Sequence, residues 1–234
     1  MSEYTLYYWP LPFRGQFVRS VLAHVGASWT EASLRELIEI KDAEPASQIV
    51  PHMGPPVLTD HAADLSLAQT QAILTYLGAK YALIPDDPAR AALTAKIIAD
   101  ANDVLYEMTL HNGAQMWTRK RWDDYRPRLG RWMEIFEEHG RRHGLTVEKG
   151  HLLGTVSPGL ADLVVYSLWG VMTSKLPELQ PFLETSAPAI AALSDRIAEL
   201  PEQQELRRRS DAEYGEEWCS GQIEASLRAV LRAH

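Results

Sequence analysis

Two short blocks of this chain carry residue types and spacing suited to holding a small peptide. The first is Pro55-Pro56-Val57-Leu58, where a double proline opens a short apolar strand. The second is Gln69-Thr70, which opens the amphipathic stretch Gln71-Ala-Ile-Leu-Thr-Tyr-Leu77. A proline corner offers backbone to an extended ligand. A helix N-terminus offers N–H groups to that ligand's carboxylate.

The elements that must position these blocks are legible around them. Tyr4 to Trp9 is aromatic and bounded by Pro10, which predicts a strand. Residues 14–25 place Phe17, Val18, Val21, Leu22 and Val25 on one helical face, with Gly26 as a stop. Residues 28–34 suit a second strand, and residues 35–50 are mixed and polar. Val57–Leu58 and Ala63–Ser66 are short strand candidates, close enough for a hairpin. Residues 69–81 form a helix with Ile73, Leu74 and Leu77 inward. The first eighty residues therefore read β-α-β-α-β-β-α, with a parallel first β-α-β unit. Strand signals then fade, and helical periodicity covers 89–117, 127–141, 161–173, 188–200 and 202–209. Asp87-Pro88 is a good cap and first helical residue for the first of these. The expected division is an α/β domain at 1–82, a linker at 83–88 and an all-α domain at 89–234.

Composition narrows the function. The chain has 234 residues, enough to bury a full core without a disulfide or metal staple. Its net charge of −8 argues against nucleic acid as a partner, since phosphate contacts need clustered Lys and Arg. The single cysteine, Cys219, cannot form an internal disulfide, which fits a reducing cytoplasm. The first residues lack the basic and apolar regions of a signal peptide. The most apolar stretch, Leu160 to Met172, contains Asp162 and is too short to span a bilayer, so no membrane partner is expected. No metal motif and no phosphate-binding glycine loop occurs.

Four features in order carry a family resemblance. They are Tyr4-Thr-Leu-Tyr-Tyr8-Trp9-Pro10 followed by Arg14-Gly15, the Pro55-Pro56-Val57-Leu58 corner, Leu67-Ala-Gln69-Thr70, and a helical second half with Gly159-Leu-Ala-Asp162. Together these resemble the cytosolic glutathione S-transferases, nearest in local pattern to the tyrosine-type classes, over residues 4 to about 210. The resemblance implies a thioredoxin-like α/β domain followed by an all-α domain. It further implies a homodimer, glutathione as co-substrate, and a small electrophile as second substrate.

It also implies roles for particular residues. Tyr8 matches the tyrosine whose hydroxyl donates to the glutathione sulfur and so stabilises the thiolate. Lowering a thiol pKa by about two units takes roughly 3 kcal/mol, much of it within reach of one charge-assisted hydrogen bond. The serine and cysteine classes place their activating group near Leu11-Pro12-Phe13, and none of these three donates to sulfur. Two extra residues separate Tyr8 from Arg14-Gly15, so the turn is longer than the family pattern. Trp9 offers an indole N–H to the glycyl carboxylate, Arg14 biases the site positive, and Lys41 reaches the glycyl end. Gln69 and Thr70 hold the γ-glutamyl end, and Thr70 keeps the hydroxyl of the family's usual serine. If Pro56 is the cis-proline, Pro55 pairs with the cysteinyl part by its carbonyl alone, since it has no N–H. Asp103 matches an acidic residue that reaches the γ-glutamyl amine of the neighbouring subunit. Asp162 caps a buried helix from within, with Gly159 where the family has Ser or Thr.

A second-substrate pocket is expected between the Tyr8 turn and the long helix, lined from Met108, His111, Asn112 and Trp117. Two other readings stay open. One is a glutathione-dependent peroxidase or disulfide reductase on the same fold; the other is a glutathione-binding protein without catalysis.

Overall fold

The computed structural model describes residues 2–233, which fall into two compact units. The first comprises residues up to Leu83 together with Pro201–Gly215. It opens with β1 (Tyr4–Tyr7), α1 (Phe13–His24), β2 (Trp29–Glu31) and α2 (Leu34–Asp42). β3 (Val57–Asp60), β4 (Leu65–Ala68) and α3 (Thr70–Lys80) follow. The sheet order is β2-β1-β3-β4, with β1 parallel to β2 and the other pairs antiparallel. This is the expected thioredoxin-like arrangement. The strands and the inward faces of α1 and α3 supply its core: Leu6, Val18, Val21, Leu22, Val57, Leu58, Ile73, Leu74 and Leu77 are all buried.

The vague region 35–50 contains a true helix. Ser33 Oγ accepts from the Glu36 N–H at 3.3 Å, and the Glu36 carboxylate accepts from the Ser33 N–H at 2.8 Å. This reciprocal box was written in the sequence as Ser33-x-x-Glu36. The fourth strand lies at Leu65–Ala68 rather than 63–66. The turn before it is organised by Asp60, whose carboxylate accepts from the N–H groups of Ala62 and Ala63.

The second unit comprises residues 84–200 and those from Glu216 on. α4 (Pro88–Met108) is capped by Asp87, which accepts from the Arg90 N–H at 2.9 Å. The expected helix over 89–117 ends early. Leu110, His111, Asn112 and Gly113 all have positive φ, so α5 (Leu110–Gly113) is a left-handed turn. Asn and Gly tolerate that conformation. α6 (Arg119–Arg142) begins eight residues before the expected 127, because Thr118 caps it and Pro127 sits inside without ending it.

α7 (Leu160–Val165) runs through a π turn at Tyr166–Gly170 into α8 (Val171–Lys175). α9 (Gln180–Ser186) and α10 (Pro188–Ala198) follow. Glu137 of α6 caps α10 by accepting from the N–H groups of Ala189 and Ile190. Asp162 plays the structural part expected of it: its oxygens accept from the Leu152 and Gly159 N–H groups at 2.7 and 2.8 Å.

The last two helices depart most from a simple reading. α11 (Pro201–Tyr214) packs in the first unit, not the second. Buried Gln203 donates to the Ser20 carbonyl at 2.8 Å and accepts from the Ser20 hydroxyl at 3.0 Å, and Glu202 pairs with His24. These partners lie more than 170 residues apart, so local periodicity carries no trace of them. α12 (Gly221–Leu231) was not anticipated. Among the described residues, no helix is long and apolar enough to cross a membrane.

Asp60 gives the first unit a measurable acid limit. It is 2% exposed. Burial works to raise its pKa, but Lys80, Tyr76 and the Ala63 N–H outweigh burial and hold it at about 2. A depressed carboxyl stabilises the fold above its unfolded pKa and loses that contribution as pH falls through the folded one. The difference corresponds to about 2 kcal/mol, lost between roughly pH 4 and pH 2. Denaturant unfolding across this range should show that loss. In Asp60→Asn the neutral-pH stability should be lower by about the same amount and the acid slope correspondingly flatter.

Candidate functional site

The sheet register gathers the sequence blocks. Tyr7 lies opposite Val57, and Val57 opposite Ala68. One step beyond these three are Tyr8, Pro56 and Gln69. All three therefore leave the sheet at the same end, on neighbouring strands. Strands about 4.8 Å apart make this edge about 10 Å wide from β1 to β4, roughly the length of three extended residues. The Pro55–Pro56 bond is cis, as expected.

Tyr8 is 5% exposed. Its phenolic oxygen accepts from the Arg14 N–H at 3.0 Å, with the Gly15 N–H a second donor. Both belong to the first turn of α1, whose N–H groups have no intrahelical partner. The helix end thus occupies the oxygen's lone pairs and leaves the phenolic proton free to be given elsewhere. Burial pushes the Tyr8 pKa up to about 12, against the pull of Arg14, those N–H groups and Arg19. The group stays protonated, as a hydrogen-bond donor must.

Phe13, which starts α1, has φ +31°, a costly value for a bulky residue. Gln69, at the start of α3, has φ +74° and ψ 121°. Such outliers cost on the order of 1–3 kcal/mol each and cluster at functional sites. Here both sit where a helix N-terminus adjoins the gathered edge. Thr70 is 7% exposed, and α3 has no side-chain cap. Its first N–H groups therefore stand ready for an anion.

The other expected residues separate by surroundings. Trp9 is half-buried, and its carbonyl accepts from the Leu11 N–H at 2.8 Å. Arg14 is half-buried, with its guanidinium 4.8 Å from the Phe13 ring centre. Lys41 ends α2 in an ion pair with Asp42. Asp103 and His111 are exposed in the second unit. Met108 and Trp117 lie on either side of the left-handed turn at Leu110–Gly113. Both are buried, and the Trp117 indole N–H donates to the Met108 carbonyl at 3.0 Å. Trp117 also packs edge-on against Trp122, at 5.5 Å between centroids, so these side chains belong to the unit's core. Among the described residues, no group of three or more His, Cys, Asp or Glu is placed to hold a metal ion.

One residue of this site, Arg19, went unread in the sequence, and Gly15 was read only as part of the Arg14-Gly15 motif. A Cβ at Gly15 would lie 2.3 Å from Tyr8 Cδ1 and 2.9 Å from Arg19 Nη1. Gly15 is therefore the space into which the Tyr8 ring fits. Arg19 is a cation inside an apolar run, Phe17-Val18 before it and Val21-Leu22 after it. That placement was the available signal.

Comparisons with known proteins bear on the family and the fold. A family model described as glutathione S-transferase, C-terminal domain, matches residues 93–230. Glutathione S-transferase alpha-2 of Rattus norvegicus is 25% identical over 199 residues, covering 84% of both chains. A glutathione S-transferase of Plasmodium falciparum is 24% identical over 203 residues, covering 84% of this chain and 90% of its own. Among solved structures, a Pi-class glutathione S-transferase of Onchocerca volvulus superposes with a TM-score of 0.71 at 19% identity. It covers 90% of this chain and 94% of that one, a likeness of fold.

Gly15→Ala tests the packing beneath Tyr8. Alanine normally favours a helix by about 1 kcal/mol over glycine. Here the added methyl meets an aromatic ring, and overpacking costs about 1–3 kcal/mol. Denaturant melts should show a net loss of stability; a gain would mean that the ring yields at no cost.

Proposed function

The chain belongs to the glutathione S-transferase family, and from that premise we propose that it conjugates glutathione to small, largely apolar electrophiles. The observation that carries this reading is the Tyr8 hydroxyl, whose oxygen is held by the α1 N-terminus while its proton is left to donate. Directed at the glutathione sulfur, that proton stabilises the thiolate, the form that attacks. Tyr8 is 5% exposed, and a charge-assisted hydrogen bond is stronger where water is largely excluded. The sulfur's electron pair forms the new bond to the electrophile as the leaving group departs with its own pair.

In this reading the γ-glutamyl carboxylate sits on the α3 N-terminus, with the Thr70 hydroxyl and the Gln69 amide as further partners. The cysteinyl part pairs with the Pro55 carbonyl only. The missing N–H weakens binding by about 1 kcal/mol rather than abolishing it. Trp9, Arg14 and Lys41 serve the glycyl end. Asp103, exposed on α4, reaches the γ-glutamyl amine of a neighbouring subunit in a homodimer. His111 is left as the candidate contact for the electrophile. The setting is cytoplasmic, and the role is detoxification.

Two variants test the assignment. Tyr8→Phe keeps the ring and removes the proton. If the hydrogen bond supplies most of the roughly 3 kcal/mol of thiolate stabilisation, turnover in a glutathione–chloronitrobenzene assay falls by about two orders of magnitude. Glutathione should still bind; unchanged turnover would sink the assignment. Thr70→Val removes a hydroxyl with little change of shape. It should raise KM for glutathione by roughly tenfold and leave kcat nearly unaltered, the mark of binding lost equally from ground and transition states.

A further inference from the structure

Arg19 is a buried cation that does more than pair with one acid. It is 2% exposed. Its Nε and Nη2 form a fork on the Glu31 carboxylate at 2.8 and 3.0 Å, so its charge is paired through β2. The remaining donors turn to the turn that follows Tyr8. Nη1 donates to the Leu11 carbonyl at 2.8 Å, and Nη2 lies 3.5 Å from the Trp9 carbonyl oxygen. The guanidinium carbon stands 5.7 Å from the Tyr8 ring centre and 5.2 Å from that of Tyr214 on α11. One planar group thus touches β2, the carbonyls of Trp9 and Leu11 on either side of Pro10, the Tyr8 ring and α11.

The turn needs such an anchor. It contains Pro10 and Pro12, which have no N–H, and its own internal bond is the one from the Leu11 N–H to the Trp9 carbonyl. The absent Cβ of Gly15 leaves room for both the ring and Arg19 Nη1. A lysine in this place would bring one compact charge and no flat face.

We infer that Arg19 is a positioning residue, holding the 9–11 turn and the Tyr8 ring so that the phenolic proton points at the substrate sulfur. The inference rests on Tyr8 being the sulfur's donor, and the experiment separates the two ideas. The Arg19 charge also opposes the effect of burial on the Tyr8 hydroxyl.

The test uses the full chain with 13C-labelled tyrosine, the Tyr8 ring signals being assigned by their loss in Tyr8→Phe. Arg19→Met combined with Glu31→Gln removes the cation without stranding a carboxylate, while an amide oxygen remains for the Trp29 indole, now bound to Glu31 at 2.9 Å. The Tyr8 signals should shift and broaden. Turnover should fall about tenfold with KM for glutathione within about twofold, because misplacement acts on kcat. Arg19→Lys, which keeps the charge, should recover part of both effects and serves if the double variant does not fold. Unmoved Tyr8 signals in a folded variant would overturn the inference, as would full recovery by lysine. Displaced Tyr8 signals with unchanged turnover would support the positioning and overturn Tyr8 as the donor.

Discussion

The pairing of Tyr7 with Val57 and of Val57 with Ala68 is the constraint on which the site depends. Side chains alternate along a strand, so a slip of one residue in β1 would exchange its buried face for its half-buried one. Tyr4 and Leu6, buried between the half-buried Thr5 and Tyr7, fix that register. The same lock that protects the core therefore delivers Tyr8, Pro56 and Gln69 to one edge. The gathering of these three residues comes as a by-product of hydrophobic register.

At that edge the backbone is held in conformations it would not choose alone. Phe13 and Gln69 both carry positive φ where a helix begins. Their strain is tolerable because the flanking elements are buried on both sides, α1 by Val18, Val21 and Leu22, and α3 by Ile73, Leu74 and Leu77. The result is two helix N-termini beside one sheet edge. One engages the Tyr8 oxygen. The other stands without a side-chain cap.

Much of this was readable in advance. Tyr8, Pro55-Pro56 and Gln69-Thr70 have local signatures, because proline geometry, strand ends and helix starts are local properties. The capping box at Ser33 and Glu36 was equally local. The long helix misled, since periodicity continues through 109–117 while Asn112-Gly113 and the residues before it turn left-handed. Trp117 shows another limit: its indole bond to the Met108 carbonyl joins groups nine residues apart across that turn, and no periodicity announces it.

By itself the sequence determined the order of elements in the first eighty residues, the proline corner and the start of α3 at Gln69-Thr70. These follow from interactions spanning a few residues. Only the tertiary structure decided why residue 15 is glycine, what Arg19 holds and where α11 packs. Each depends on groups brought together by folding: a ring against a missing methyl, a cation shared by two aromatic rings and two carbonyls, and a glutamine bound to a serine 183 residues away. Long-range contacts leave no periodicity to read, because their spacing is set by the path of the chain and not by the repeat of any helix or strand.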